Sequence, residues 1–212
     1  MAATQTVPAP LVLPIGHYGG AFPAEDDSDT LHEIRRGGEL IQVPDDVFRV
    51  WALSHRAADW PPNQRWTRQA MLDRARLLDM DNAEDALNDL IGDRLVVEVR
   101  PGVTSAREVA RGLHMHPTML GLGNSAENPT AYALGFVGSP LVQVSRTIFE
   151  LWRWAPVERN LWDLCRFFAE TEREHHGTTD PERTDPDVVL TELLEALPTL
   201  LSSGAVYLDL AE

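Results

Sequence analysis

Residues 40–51, LIQVPDDVFRVW, recur as LVQVSRTIFELW at residues 141–152. Five of the twelve positions are identical: Leu40/Leu141, Gln42/Gln143, Val43/Val144, Phe48/Phe149 and Trp51/Trp152. Three more exchange one aliphatic residue for another. At an offset of 101 residues in a chain of 212, this reads as one structural unit written twice. A repeat restricts the fold more than any other feature, because both copies must form the same elements and bury the same face. The expected domains are residues 11–112 and 113–212, each near the commonest domain size.

Local pattern supplies the elements. In the first copy Gly16, Gly19 and Gly20 precede a polar loop, AEDDSDT, and then LHEIRRGG. In the second, MLGLGN precedes SAENPT and AYALGFVG, and Gly37 and Gly138 share the 101-residue offset. Each reads as a hairpin ending in LIQV or LVQV. A helix follows, with Pro44 placed for a first turn, Asp45 and Asp46 at its positive end, and Ser145 as the N-cap of its counterpart. Val47, Val50, Trp51 and Ser54 share one side, as do Ile148, Leu151 and Trp152, so the aromatic residues read as core.

TRQAMLDRARLLDM reads as a second helix capped by Thr67. Ala83, Ala86, Leu87, Leu90 and Ile91 keep the spacing of a third, and LVVEV reads as a strand. RNLWDLCRFFAETER, DVVLTELLEALPTLLSSG and AVYLDL repeat the series. Ala86, Leu87, Leu90 and Val96 match Ala196, Leu197, Leu200 and Val206 at an offset of 110. The nine additional residues belong most simply to the loop HHGTTDPERTDPD. Pro198 should kink the last helix or begin a new one.

Strand, helix, helix, helix and strand thus recur in both halves. This order resembles a tandem winged helix-turn-helix protein, and locally it is similar to PqqD-like domains, the peptide-recognition elements of modified-peptide biosynthesis. The fold class expected is α+β, with two tandem winged-helix-like domains packed on one another, each a small antiparallel sheet with about three helices. The resemblance implies a peptide groove between a sheet edge and a helix, with Gln42, Val43, Gln143 and Val144 near its walls. On alternation alone, Gln42 and Gln143 read as outward residues of a strand.

Charge narrows the partners. The net charge is −15, and a surface of that sign repels phosphate backbones. The candidate recognition helix of unit one carries Glu84, Asp85, Asn88 and Asp89. That of unit two carries Asp187, Glu192 and Glu195. Arg65, Arg68, Arg74 and Arg76 lie in or before the middle helix and read as a solvated face. Arg94, Arg100, Arg107 and Arg111, in the region after the third helix, would carry DNA contacts led by a wing. The first reading is a non-enzymatic, regulatory protein- or peptide-binding module. A DNA-binding regulator is the alternative, and an accessory enzyme subunit the third.

No catalytic or cofactor motif supports an enzyme. All 18 basic residues are Arg, which excludes lysine Schiff bases and P-loop lysines. Cys165 is the single cysteine and sits in an apolar helical run, so no disulfide or cysteine-rich zinc site is expected. His114, His116, His175 and His176 read as polar residues and not as metal ligands. No cofactor and no membrane span is expected, and the N-terminal stretch does not read as a signal peptide, so the expected location is cytoplasmic.

Overall fold

The computed structural model describes residues 8–23, 30–61 and 63–211. Strand β1 (Leu11–Pro14) opens the first half. It is followed by β2 (His17–Pro23), β3 (Thr30–Arg36), β4 (Glu39–Pro44), the helices α1 (Asp45–Ser54), α2 (Arg68–Leu77) and α3 (Ala83–Gly92), and strand β5 (Val96–Val99). Helix α4 (Ser105–Arg111) leads into the second half. There β6 (Leu113–Pro117), β7 (Leu120–Gly123), β8 (Tyr132–Phe136), β9 (Ser139–Val144), α5 (Arg146–Trp154) and α6 (Leu161–His175) follow, then the short α7 (Pro181–Thr184), α8 (Pro186–Ser202) and β10 (Val206–Leu210). The protein is α+β. Each half pairs its first strand with its last, and carries a three-stranded antiparallel meander besides. No helix among the described residues is long and apolar enough to cross a membrane.

The sheets are larger than the sequence suggested. The expected hairpin is a meander, β2-β3-β4 or β7-β8-β9, and LVLP of β1 is a strand that the flanking prolines concealed. The polar loop expected at residues 24–30 lies outside the described residues except for Thr30, which opens β3. Helix starts follow their caps: Thr67 accepts from the Ala70 amide at 3.3 Å and Ser145 from the Ile148 amide at 3.2 Å. Pro44 is not in the first turn but at the N-cap, with φ −68° and ψ 164°, because it also ends β4 opposite Leu31.

The two copies are out of step by one residue in the middle strand. Ile34 faces Ile41, whereas Leu134 faces Val142, so β3 and β8 correspond at an offset of 100 and β4 and β9 at 101. Without correction, that slip would turn every β8 side chain to the wrong face. A bulge at Leu141 takes up the difference. Gly37 and Gly138 are therefore not equivalent: Gly37 is the first residue of its turn and Gly138 the second of its own. His32 now matches Tyr132, and both rings lie against the repeated Phe, at 3.9 Å from Phe48 and 4.9 Å from Phe149.

Helix α8 runs through Pro198 without a new start. The proline removes one N–H donor, and its buried ring sits among Leu193, Leu194, Leu197, Leu200 and Leu201, whose burial holds the helix on both sides. The additional residues of unit two are not confined to a loop either. They build α7 and extend α8, which begins seven residues before Leu193, the counterpart of Ala83.

The core is divided by a ribbon. On the β1–β5 pair, Val12 and Val96 point into the first core, while Leu11, Leu13 and Val99 point into the second, joined there by Ile15 just beyond β1. A strand buried on both faces must be continuously apolar, which explains LVLP. The chain boundary expected at 112/113 falls between α4 and β6, but Ala106 and Ala110 of α4 also belong to the second core. The ribbon's end touches β10, where the Gly16 amide donates to the Leu208 carbonyl at 2.7 Å. Gly16 has φ +98°, and a Cβ there would lie 2.7 Å from the Arg35 carbonyl oxygen, so only glycine fits this crossing.

Candidate functional site

Strand β4 is the edge of its meander. Arg36 and Glu39 close a two-residue turn, and antiparallel pairs alternate from there between bonded and open. Leu40 and Gln42 occupy the open pairs, so their N–H and C=O groups point away from β3. Gln42 is exposed and its side-chain amide donates to Glu33 at 3.1 Å, while Val43 is buried. Beside this edge lies a groove of about 470 Å³ lined by Arg36, Ile41, Gly92, Asp93 and Arg94. Arg36 bridges the groove, donating to the Asp93 carbonyl and to Glu39. Strand β9 is likewise an edge, with Gln143 exposed and Val144 half-buried.

The arginines considered for DNA come from three segments of the chain. Arg94 follows the C-cap of α3 with φ 55° and lines the β4 groove. Arg100 is exposed just beyond β5. Arg107 and Arg111 stand on α4 and not on a β wing. They pair with Asp187 and Glu108, with their guanidinium carbons 5.1 and 5.8 Å from the centre of the Trp162 ring. Arg65, Arg68, Arg74 and Arg76 pair with Glu195, Glu98, Asp59 and Asp73. Of the acidic residues, Glu84, Asp85 and Asp89 are exposed on α3, whereas Asp187 and Glu195 of α8 are held by Arg107 and Arg65.

The histidines divide into two places. His175 is exposed at the end of α6. His176 lies 3.8 Å from Glu172, a buried carboxylate that Arg146 and Arg183 also hold. His114 and His116 stand on β6, with ring centroids 4.3 Å apart. Among the described residues no three His, Cys, Asp or Glu side chains converge on a metal position. Burial pushes the Cys165 thiol up, so it stays protonated and is a poor nucleophile.

The strand pairing exposes a constellation that sequence reading missed. Val96 faces Pro14 and Val206 faces Pro117. Leu11, Leu13, Val97 and Val99 of the first ribbon therefore correspond to His114, His116, Tyr207 and Asp209 of the second. The aliphatic face is buried against the other half, while the polar one opens into a cleft of about 400 Å³ that Arg35, Gly37 and Arg159 also line. Arg35 donates to the Tyr207 hydroxyl at 2.9 Å and to Asp209 at 3.3 Å. The Gly37 amide reaches Asp209 at 2.6 Å, and the Tyr207 ring lies between His17 and His116. HMHP and YLDL carry this alternation in the sequence, but it becomes visible only once the strands are paired.

Two histidines have lowered pKa values. Burial is the main cause at both, for His55 packed edge-on against Trp51 and for His116, where the neighbouring His114 and Arg35 push the same way and Asp209 opposes. A lowered folded value means the unfolded chain binds the proton more readily. The two rings should therefore leave stability unchanged above the ordinary value of about 6.5 and reduce it as pH falls below that. Urea midpoints at neutral and mildly acidic pH check this. The native chain should lose more on acidification than His55→Gln or His116→Phe; equal losses in all three would refute the assignment.

No protein-family model, curated protein or solved structure matches this chain.

Proposed function

We propose that the chain is a non-enzymatic peptide- or protein-binding regulatory module, each half being winged-helix-like, and that a partner segment lies extended along β4. The observation that supports this reading is the coincidence of outward Leu40 and Gln42 main-chain groups with the groove between Ile41 and the end of α3. An added strand satisfies those groups by backbone pairing, and side-chain pockets beside the edge select the sequence. Exposed Leu40 supplies apolar contact, and Arg94 a charge for an acidic side chain. The resemblance to PqqD-like peptide-recognition domains points to the same wall. Acidic α3 and the paired arginines favour a protein partner over DNA.

Selection of a random linear peptide library against the full chain tests this. Enriched peptides should slow amide exchange at Leu40 and Gln42. They should be lost with Gln42→Pro, which removes an outward N–H without breaking the β3–β4 ladder. Circular dichroism checks that the variant folds. Peptides that leave β4 unprotected, or that bind a folded Gln42→Pro variant equally well, would reject the reading.

A further inference from the structure

We propose that the polar cleft over the β6–β10 ribbon is a binding site for a small molecule bearing a compact oxyanion, a phosphate or a carboxylate. This site is separate from the β4 groove and does not depend on it. The first support is the divergence between the copies. Four positions that are aliphatic and packed on β1–β5 are His, His, Tyr and Asp on β6–β10. Solvation alone requires only polar residues there, not two imidazoles with two arginines beside them.

Charge is the second support. In a chain of net charge −15, this cleft sets two guanidinium groups, Arg35 and Arg159, against one carboxylate, with the imidazoles of His114 and His116 beside them as hydrogen-bonding groups. That carboxylate is already occupied: Asp209 accepts from Arg35 and from the Gly37 and Leu210 amides. It holds Arg35 in place, and a cation held before the ligand arrives loses less freedom on binding. An anion is repelled over most of the surface and attracted here.

The third support is unused hydrogen-bonding capacity. His114 donates to the Ala155 carbonyl at 2.8 Å, but among the described residues His116 has no hydrogen-bond partner and Arg159 no ion pair. The contacts that tie the β3–β4 hairpin to β10 use Arg35, Gly37, Tyr207 and Asp209 and need neither of those two. A volume of about 400 Å³ holds an anionic group together with a small organic body.

Inorganic phosphate and acetate, titrated separately at ionic strength held constant with sodium chloride, distinguish the two anion classes. The imidazole C–H resonances of His114 and His116 report on the site, and that of His114 serves alone in the His116→Phe variant. Saturable movement with phosphate and little with acetate assigns a phosphate ligand, and the reverse order a carboxylate. Arg159→Ala should weaken the preferred anion about tenfold or more, as loss of a charge-assisted hydrogen bond predicts. His116→Phe keeps the stack on Tyr207 and removes the ring nitrogens, so it should weaken binding with the fold intact. If neither anion saturates, or if both folded variants bind like the native chain, the proposal is overturned.

Discussion

Trp51→Ala and Trp152→Ala should each destabilise the protein by about 3–5 kcal/mol, the range for removing a large aromatic side chain from a packed core. The two side chains do the same work. Trp51 and Trp152 are 3% and 7% exposed, and each lies 5.9 Å from the repeated Phe, at 29° and 28°. Each also ties its helix to the open end of its own ribbon: Trp51 donates to the Ile15 carbonyl at 3.1 Å and Trp152 to the Ala205 carbonyl at 3.2 Å. Trp→Phe at either site keeps most of the apolar contact. At Trp51 it leaves the Ile15 carbonyl without its side-chain donor, which should cost about 1–3 kcal/mol beyond the packing loss, whereas after Trp152→Phe the Ala205 carbonyl still accepts from the Thr118 amide at 3.1 Å and the additional cost should be smaller. Denaturant titration of the four variants measures this. Losses of the two alanine variants that differ by more than about twofold, against the spread expected from local relaxation, would show that the copies are not energetically equivalent.

The meanders show why these two sites could be read in sequence while their surroundings could not. The helix copies keep Phe and Trp because a ring stack cannot change one partner alone. The sheet above them repacks as a set. Unit one places Tyr18 and His32 over Phe48, with the Tyr18 hydroxyl 3.1 Å from His32 and His32 reaching Asp45 at 3.1 Å. Unit two places Tyr132 over Phe149 and lets Gly121 lie directly on the rings, where a Cβ would meet Trp152 at 2.9 Å. Neither identity nor side-chain size is kept position by position, since Tyr18 and His32 stand where the second copy has Gly121 and Tyr132, so residue-by-residue comparison fails. The bulge at Leu141 conceals the match further, because side chains that share a face stand at two different offsets.

Helices were legible because caps and apolar spacing are local. Thr67, Ser145 and the Ala83–Leu90 series each specify an element within a few residues. Strands β1 and β6 were not, since their partners lie more than eighty residues away and one ribbon face is set by the other half. The same distance hid the polar cleft. His114 and His116 are noticeable alone, but the residues that give them chemical context, Arg35, Tyr207 and Asp209, come from both ends of the chain. The β4 edge was nearer to hand, because alternation alone places Gln42 outward and Val43 inward.

Cutting the chain at residue 112 should abolish cooperative folding of the 113–212 fragment. Its core is lined in part by Leu11, Leu13 and Val99, which are 1%, 0% and 2% exposed and belong to the other piece. Burying each such side chain is worth about 1.5–3 kcal/mol. Three together are comparable to the whole stability of a domain of about a hundred residues, roughly 5–15 kcal/mol. The 1–112 fragment faces the complementary problem. It retains Trp51, Trp66, Met71 and Leu87 around its own core, but it would expose the outer face of the β1–β5 ribbon to water. It should fold and then self-associate through that face, because an exposed apolar patch drives association. Coexpressed fragments should recover one cooperative melt as a one-to-one complex, since the cut falls between α4 and β6 and leaves every strand pair within its own piece. Thermal scans and sedimentation of the separate and mixed fragments decide the matter. A 113–212 fragment that melts cooperatively at the temperature of the intact chain would mean that the ribbon rests on a finished core and does not help to build it.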